Sequence, residues 1–118
     1  MLKVIAQDFI KLKHLDRVMP LYRELVEKTK TEPRCISYDL FIDQKDAGHF
    51  IFIEEWPDRA ALDAHCETEH FKRLVPLIDQ YQRAAGTYIL MYELSHQSSF
   101  TLIEYGIEKL NYPINTSM

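Results

Sequence analysis

Glycine, cysteine and excess charge are all scarce in this sequence of 118 residues, and each scarcity narrows the possible functions. The three glycines form neither a phosphate-binding loop nor a dinucleotide-binding pattern. The two cysteines, Cys35 and Cys66, lack the C-x-x-C spacing of a redox pair. We therefore expect free thiols in a reducing compartment, and we assign the protein to the cytoplasm.

Neither the charge distribution nor the hydrophobic runs of the sequence indicate nucleic acid or a membrane as a partner. The 14 basic and 18 acidic residues are scattered and give a net charge of -4, which disfavours nucleic acid and anionic lipid as partners. No apolar run approaches the length of a membrane span, and residues 1–8 lack the apolar core of a signal peptide. We expect one soluble domain that is not exported and binds neither nucleic acid nor a membrane.

The hydrophobic pattern changes between a period of two and a helical period along the chain. Alternation predicts strands over residues 2–11, 35–42, 49–56 and 88–94, and three- and four-residue steps predict helices between them. Asp16, Asp58 and Thr68 are candidate N-caps, and Gly86 is expected to end the last helix. The order β, α, ββ, α(α), β predicts an α+β fold of ferredoxin-like βαββαβ architecture. Its four-stranded antiparallel sheet would carry helices on one face.

The predicted strands carry large apolar residues on both faces, although helices can cover only one face. A bare apolar face of that size requires a cover, and the same face of a second copy is the economical one. We therefore expect a homodimer. The alternative is that the C-terminal extension, residues 96–118, folds back over its own sheet; this extension is too apolar for a free end and should pack on the domain or on the partner.

Reactive side chains are densest in two short segments, 54–56 and 65–70. His65 follows Leu62 by one helical turn and should point toward the sheet among Trp56, Phe52 and Tyr38, where a histidine can act as a base. Glu54 shares a strand face with aromatic residues and is a candidate orienting partner for His65. The alternative is that His65 is a core residue hydrogen-bonded to Glu54 or to a carbonyl.

A metal site is weakly supported by the same residues. His65 and His70 are five residues apart, about 140° around an ideal helix, whereas two ligands on one face need a spacing of three or four. A bend at Thr68 could still bring the two rings together. We predict no metal ligand, and the role of His70 stays open between a ligand contact and an exposed residue.

The sequence resembles the antibiotic biosynthesis monooxygenase (ABM) domain family over residues 1–95. The resemblance rests on three motifs in the family's order and spacing: E-P-x-C-x-x-Y at 32–38, E-x-W at 54–56 and H-x4-H-F at 65–71. Arg34 departs from the family, which usually has glycine there. The resemblance implies a ferredoxin-like fold, a sheet-to-sheet dimer that forms a dimeric α/β barrel, and similarity to quinol monooxygenases that use no metal or flavin.

The resemblance implies that the protein is a cofactor-independent monooxygenase that oxidises a small aromatic hydroquinone or polyphenol with O2. His65 would be the base and Glu54 its orienting residue, with Trp56, Tyr38, Phe52 and His70 lining the substrate pocket. The family's haem-degrading members are disfavoured, because His65 and the Leu74–Leu77 stretch replace their functional positions. Two alternatives stay open: an isomerase of a phosphorylated signalling sugar, and a dimer that binds a small molecule without catalysis.

Overall fold

Two periodicities in the sequence generate four strands and three helices in the computed structural model, which describes residues 1–94. The elements, in chain order, are β1 (Leu2–Ile10), a short 3-10 turn (Leu12–His14), α1 (Leu15–Lys30), β2 (Ser37–Asp43), β3 (Asp46–Trp56), α2 (Arg59–Cys66), α3 (Glu69–Asp79) and β4 (Gln82–Tyr92). The predicted packing of residues 96–118 lies outside the described residues.

The four strands form one antiparallel sheet in the order β2-β3-β1-β4. β1 is central, and its register places Val4 opposite Glu54 and Ile5 opposite both Ile53 and Ile89. This element order and strand order are those of a ferredoxin-like βαββαβ fold, so the predicted fold class is confirmed.

One face of the sheet packs against α1, α2 and α3 and forms the core. Because side chains alternate along a strand, the even-numbered residues of β1 and β3 all point to this face. The largest fully buried side chains of this core include Trp56 and Phe50 from the sheet and Tyr22 from α1. Glu54 and His65 are also buried there, at 2% and 1% exposure, so the core contains two ionisable groups.

Helix caps account for where α2 and α3 begin. Asp58 accepts a hydrogen bond from the Ala61 backbone N–H, and Thr68 accepts one from Phe71, so both predicted N-caps are confirmed. The prediction for Asp16 is wrong. It lies inside the first turn of α1, whose N-cap position is held by His14 without a side-chain hydrogen bond.

Gly86 was expected to end the last helix, but it lies inside β4, which begins four residues earlier at Gln82. A Cβ atom at this position would lie 2.8 Å from the Gln7 carbonyl oxygen. The neighbouring pairing between β1 and β4 is also irregular beyond Gln7. Gly86 therefore permits a close approach of two strands at a bulge, a common role of glycine within a sheet.

The other face of the sheet carries no helix of the described chain, and we call it the open face. Ile5, Ile53 and Ile89 form a row across three strands on it, and Phe41 lies beside them on β2. Phe41 and Ile89 are 52% and 51% exposed. Within residues 1–94, no helix has the length and hydrophobicity needed to cross a membrane.

Candidate active site

Glu32, His65 and His70 form a hydrogen-bonded cluster where three elements meet. Glu32 follows the end of α1, His65 lies in the last turn of α2, and His70 lies in the first turn of α3. A single Glu32 oxygen, Oε2, lies 2.8 Å from His65 Nδ1 and 2.6 Å from His70 Nε2. One carboxylate thus joins two imidazoles that are separate in the sequence.

The bend between α2 and α3 brings the two rings together. The Thr68 hydroxyl donates to the His65 carbonyl oxygen at 2.7 Å and accepts from the Phe71 N–H at 3.3 Å. It therefore ends one helix and caps the next within two residues. A continuous helix would have placed His65 and His70 on different faces, whereas the bend leaves their ring centroids 6.2 Å apart.

Aromatic rings enclose His65 as the sequence predicts. The ring centroids of Trp56, Phe71 and Tyr38 lie 4.8, 5.0 and 5.3 Å from that of His65. Phe52 packs on the far side of Tyr38, with 5.3 Å between centroids. Of the two ring nitrogens of His65, only Nδ1 has a hydrogen-bond partner within the described chain, and that partner is Glu32.

The two histidines stabilise the charged form of Glu32. Partial burial opposes ionisation of this carboxyl group, but the hydrogen bonds and charges of His65 and His70 outweigh it and lower the pKa of Glu32. An ionised carboxylate can only accept, so the shared contact assigns the proton to Nδ1 of His65. The lone pair of neutral His65 then resides on Nε2, which has no hydrogen-bond partner among residues 1–94.

Glu54 differs from its predicted role of orienting His65. Its Oε1 accepts a hydrogen bond from the Trp56 indole N–H at 3.0 Å, and its second oxygen has no hydrogen bond within residues 1–94. Burial raises the pKa of Glu54, although the charge of His65 and the Trp56 bond oppose the shift. Glu54 is therefore a buried carboxyl group that favours its neutral form, and Glu32 orients His65.

Sequence reasoning missed Glu32 because its role depends on a loop. The sequence analysis gave Glu32 no role beyond its place in a family motif, and helical periodicity gives no information about where a side chain after a helix points. The available signal was its place in the E-P-x-C-x-x-Y motif, which also contains the pocket residue Tyr38.

A small cavity of about 40 Å³ lies between the sheet and α3. At one end it is lined by Tyr38, Phe52, Glu54 and Phe71. At the other end it is lined by Asp8, Ile78, Asp79 and Gln82. Three of the predicted pocket residues, Tyr38, Phe52 and Glu54, therefore share one cavity. Trp56, His65 and His70, which were predicted to belong to the same site, are not among the residues that line it.

Asp8 gives the far end of the cavity a second carboxyl group, which is half-buried. Its Oδ2 accepts a hydrogen bond from the Tyr22 hydroxyl at 2.7 Å. Burial raises the pKa of Asp8 to about 6; the Tyr22 hydrogen bond lowers it and the charge of Asp79 raises it further. The sequence analysis did not identify Asp8, since alternation alone does not distinguish a strand carboxylate that faces a cavity from one that reaches water.

The cluster of Glu32, His65 and His70 also has the donor types of a divalent metal site. Their ligand atoms lie within 4.8 Å of one another. Donors around one tetrahedral zinc ion at about 2.1 Å would be about 3.4 Å apart. The Glu32 oxygen lies at hydrogen-bonding distance from both rings instead, so a metal would have to separate the carboxylate from them. The residues present fit a hydrogen-bonded relay better than a metal centre.

The fold and the site define a small α+β domain in which a carboxylate holds a buried histidine among aromatic rings, beside a cavity between the sheet and the helices. The family model for antibiotic biosynthesis monooxygenases matches residues 1–77, which is more than half of the chain. The chain belongs to the ABM family.

Individual relatives agree with this assignment. YcnE of Bacillus subtilis, which carries the name of a proposed monooxygenase, is 32% identical over 74 residues, covering 61% of this chain and 78% of YcnE. An uncharacterized protein of Synechocystis is 37% identical over 60 residues. That match spans 51% of this chain and only 41% of the relative.

Solved structures extend the similarity to the whole described domain. A crystal structure titled as an antibiotic biosynthesis monooxygenase is 70% identical, with a TM-score of 0.79; the match covers 80% of this chain and all of that one. PA3566 from Pseudomonas aeruginosa is 32% identical with a TM-score of 0.73, covering 80% of this chain and 94% of that one. Membership of the family and its fold are thus supported by sequence and by structure.

Proposed function

We propose that this protein is a cofactor-independent monooxygenase that oxidises a small aromatic hydroquinone or polyphenol with O2, with His65 as the general base. The observation that carries the proposal is the hydrogen bond from His65 Nδ1 to Glu32. It fixes the ring and leaves Nε2 as the proton acceptor among Trp56, Tyr38 and Phe71. The family membership and the name of YcnE support the same class of reaction.

The reaction needs no external electron donor if the substrate is electron-rich. His65 removes a phenolic proton, and the resulting anion adds through a ring carbon to O2 and forms a peroxide. Protonation of the peroxide and loss of water convert that carbon to a carbonyl, so one oxygen atom enters the product and the other leaves as water. The substrate loses two hydrogens and gains one oxygen, and it therefore supplies all the electrons.

A proton on His65 is stabilised by the ionised Glu32. Imidazolium formed in the first step carries a positive charge, and the Glu32 carboxylate accepts the Nδ1–H hydrogen bond from it at 2.8 Å. His70 supplies a second donor to the same oxygen at 2.6 Å and holds the carboxylate in place. His70 therefore acts as a positioning residue rather than as the substrate contact that the family resemblance implies.

Substrate entry requires the cavity wall to move. About 40 Å³ has room for a few water molecules and not for an aromatic ring. Phe71, Val75 and Ile78 of α3 form this wall. Pro76 lies inside α3 and removes one of its backbone hydrogen bonds, which weakens the helix beside the wall.

We further propose that the protein is a cytoplasmic homodimer joined through its open face. Unpaired Cys35 and Cys66 are consistent with a reducing compartment. The exposed Phe41 and Ile89 would be buried by a second copy of the same face.

Oxygen uptake tests the proposed activity. Purified protein is added to a panel of hydroquinones and catechols in an oxygen electrode, and autoxidation without protein is subtracted. We expect His65→Ala to lower kcat by about 10²- to 10⁴-fold, the usual contribution of a general base. We expect Glu32→Gln to lower kcat by a smaller factor, about 10-fold or more, because the amide keeps a contact but loses the charge that stabilises imidazolium.

His14→Gln is the matched control, since His14 lies on the turn before α1, away from the cluster. It should leave uptake unchanged, and circular dichroism should show that all variants are folded. Uptake that is absent across the panel, or that survives His65→Ala, would exclude this mechanism. Binding of a panel member without uptake would favour the non-catalytic alternative.

A further inference from the structure

The second carboxyl oxygen of Glu54, Oε2, has no hydrogen-bond partner within residues 1–94, although Glu54 lines the cavity. Glu54 is 2% exposed, and Trp56 occupies only its Oε1. Because Glu54 is buried from bulk solvent and lines the cavity, a ligand or a water molecule in the cavity is the remaining source of a partner for this oxygen.

The opposite end of the cavity carries the acceptors Asp8 and Asp79. Glu54 is paired with Val4 on β1, and Asp8 lies four residues further along the same strand and on the same face. The two carboxyl-bearing positions are therefore separated by about 13 Å of strand. The space between them is walled by apolar side chains, including Phe52, Phe71 and Val75.

Within residues 1–94, the side chains that line the cavity carry no positive charge. None of the described residues around this cavity is Lys, Arg or His, and three of them carry carboxyl groups. A ligand with a carboxylate or phosphate would meet no counter-charge there and would be repelled by any ionised carboxyl group.

We propose that Glu54 contacts the ligand directly as a neutral carboxylic acid that donates a hydrogen bond, while Asp8 accepts one at the other end. The cavity then selects uncharged, elongated aromatic molecules with an oxygen at each end and rejects their anionic analogues. This inference rests on the proposed function for the aromatic nature of the ligand. It adds the charge and the length of the substrate, and it disfavours a phosphorylated sugar.

Electrostatics agree with this geometry. Burial raises the pKa of Glu54, the direction that favours a donating carboxylic acid over a carboxylate. Asp8 is already fixed by the Tyr22 hydroxyl, which leaves its other oxygen as the acceptor on that side.

A matched ligand pair tests the proposal without turnover. Binding of 2,6-dihydroxynaphthalene and of 6-hydroxy-2-naphthoate is measured by calorimetry under anaerobic conditions, so that no oxygenation occurs. The two molecules share one frame and differ in the charge at one end. We expect the dihydroxy compound to bind at least tenfold more tightly than the carboxylate.

Variants of Glu54 identify the contact. Glu54→Leu should weaken binding of the dihydroxy compound at least tenfold, about the effect of one lost hydrogen bond. Glu54→Gln keeps a donor without charge and should stay within about threefold of the native protein. Glu55→Gln is the control, because Glu55 is the next residue on β3 and points to the open face.

Infrared difference spectroscopy gives a second readout if Glu54→Leu does not fold. The native protein at pH 7 should show a protonated carboxyl band that disappears in Glu54→Gln. The proposal is overturned by equal or tighter binding of the carboxylate, by no binding of either compound, by binding that is insensitive to Glu54, or by absence of that band.

The two proposals fail in different ways. Selective anaerobic binding without oxygen uptake would leave the present inference standing and remove the monooxygenase function. Oxygen uptake that depends on His65, together with ligand binding that does not depend on Glu54, would support the monooxygenase function and remove the present inference.

Discussion

Individual carboxyl groups acquire different roles in this protein because their surroundings differ. Two imidazoles lower the pKa of Glu32, whereas burial raises the pKa of Glu54, whose side chain has one hydrogen bond within residues 1–94, from the Trp56 indole. Asp8 lies between these cases, with one hydroxyl donor and a neighbouring acid. Groups whose environments push their pKa values apart are the usual partners in acid-base chemistry.

Asp8 makes stability depend on pH with a definite sign. Its pKa rises from 3.8 to about 6 on folding, so the native state binds the proton more tightly than the unfolded state. Ionisation of Asp8 therefore destabilises the fold as the pH rises from about 4 to about 6, and the penalty is constant above that range. Asp8→Asn should remove it and stabilise the protein by about 1 to 2 kcal/mol at pH 7.5. This is less than the two-unit shift implies, because the site is partly exposed.

Urea denaturation at pH 7.5 and pH 4 checks this expectation. The gain from Asp8→Asn should be present at pH 7.5 and nearly absent at pH 4. Asp16→Asn, in the exposed first turn of α1, is the control and should show no such dependence. An Asp8→Asn protein that is less stable than the native one at pH 7.5 would contradict the assigned shift.

Among the elements, the junction of α2 and α3 has the greatest consequence for the site. Thr68 links the His65 carbonyl to the Phe71 N–H, and so it sets the angle at which His65 and His70 face Glu32. An N-cap is normally a device of stability alone. Here the same hydroxyl also determines the geometry of the histidine pair.

Thr68→Ala should lower the free energy of unfolding by about 1 kcal/mol, the usual effect of losing an N-cap. It should also lower oxygen uptake, because the helices are no longer held at the same angle. Thr68→Ser keeps the hydroxyl and should retain most of both properties. Urea denaturation and the oxygen electrode measure the two effects; equal losses in the alanine and serine variants would show that the hydroxyl is not responsible.

At the scale of the whole molecule, the sheet divides two surfaces with different tasks. The helix-covered face contains the cavity and the histidine cluster, and the open face contains the row of Ile5, Ile53 and Ile89. Contiguous exposed apolar surface of this kind marks an association site in many proteins. The proposed dimer would therefore form on the side of the sheet away from the chemistry.

Ile89→Lys should convert the proposed dimer into a monomer, because a lysine at the centre of an apolar interface would be buried without a partner. Light scattering after gel filtration at micromolar concentration measures the change. Leu77→Lys is the control, since Leu77 is 39% exposed on α3 and away from the open face. A native protein that is already monomeric would refute dimerisation through this face.

The sequence by itself determined the elements, their order and two aromatic neighbours of His65, Trp56 and Tyr38. Alternation and helical periodicity depend on local geometry, so they predicted β1, β2, β3 and the caps at Asp58 and Thr68. They were less successful where two strands meet. The start of β4 and the role of Gly86 depend on its close approach to Gln7, which is 79 residues away in the chain.

Only the tertiary structure decided which carboxylate holds which partner. His65, Trp56 and Tyr38 were placed together by periodicity, since each lies on a regular element. Glu32 lies after a helix, and its contacts span 33 and 38 residues of sequence. Hydrogen bonds across such distances depend on how elements pack, and packing is a property of the whole fold. For this reason Glu54 was identified as a buried acid on the correct face, while the residue that orients His65 became visible only in three dimensions.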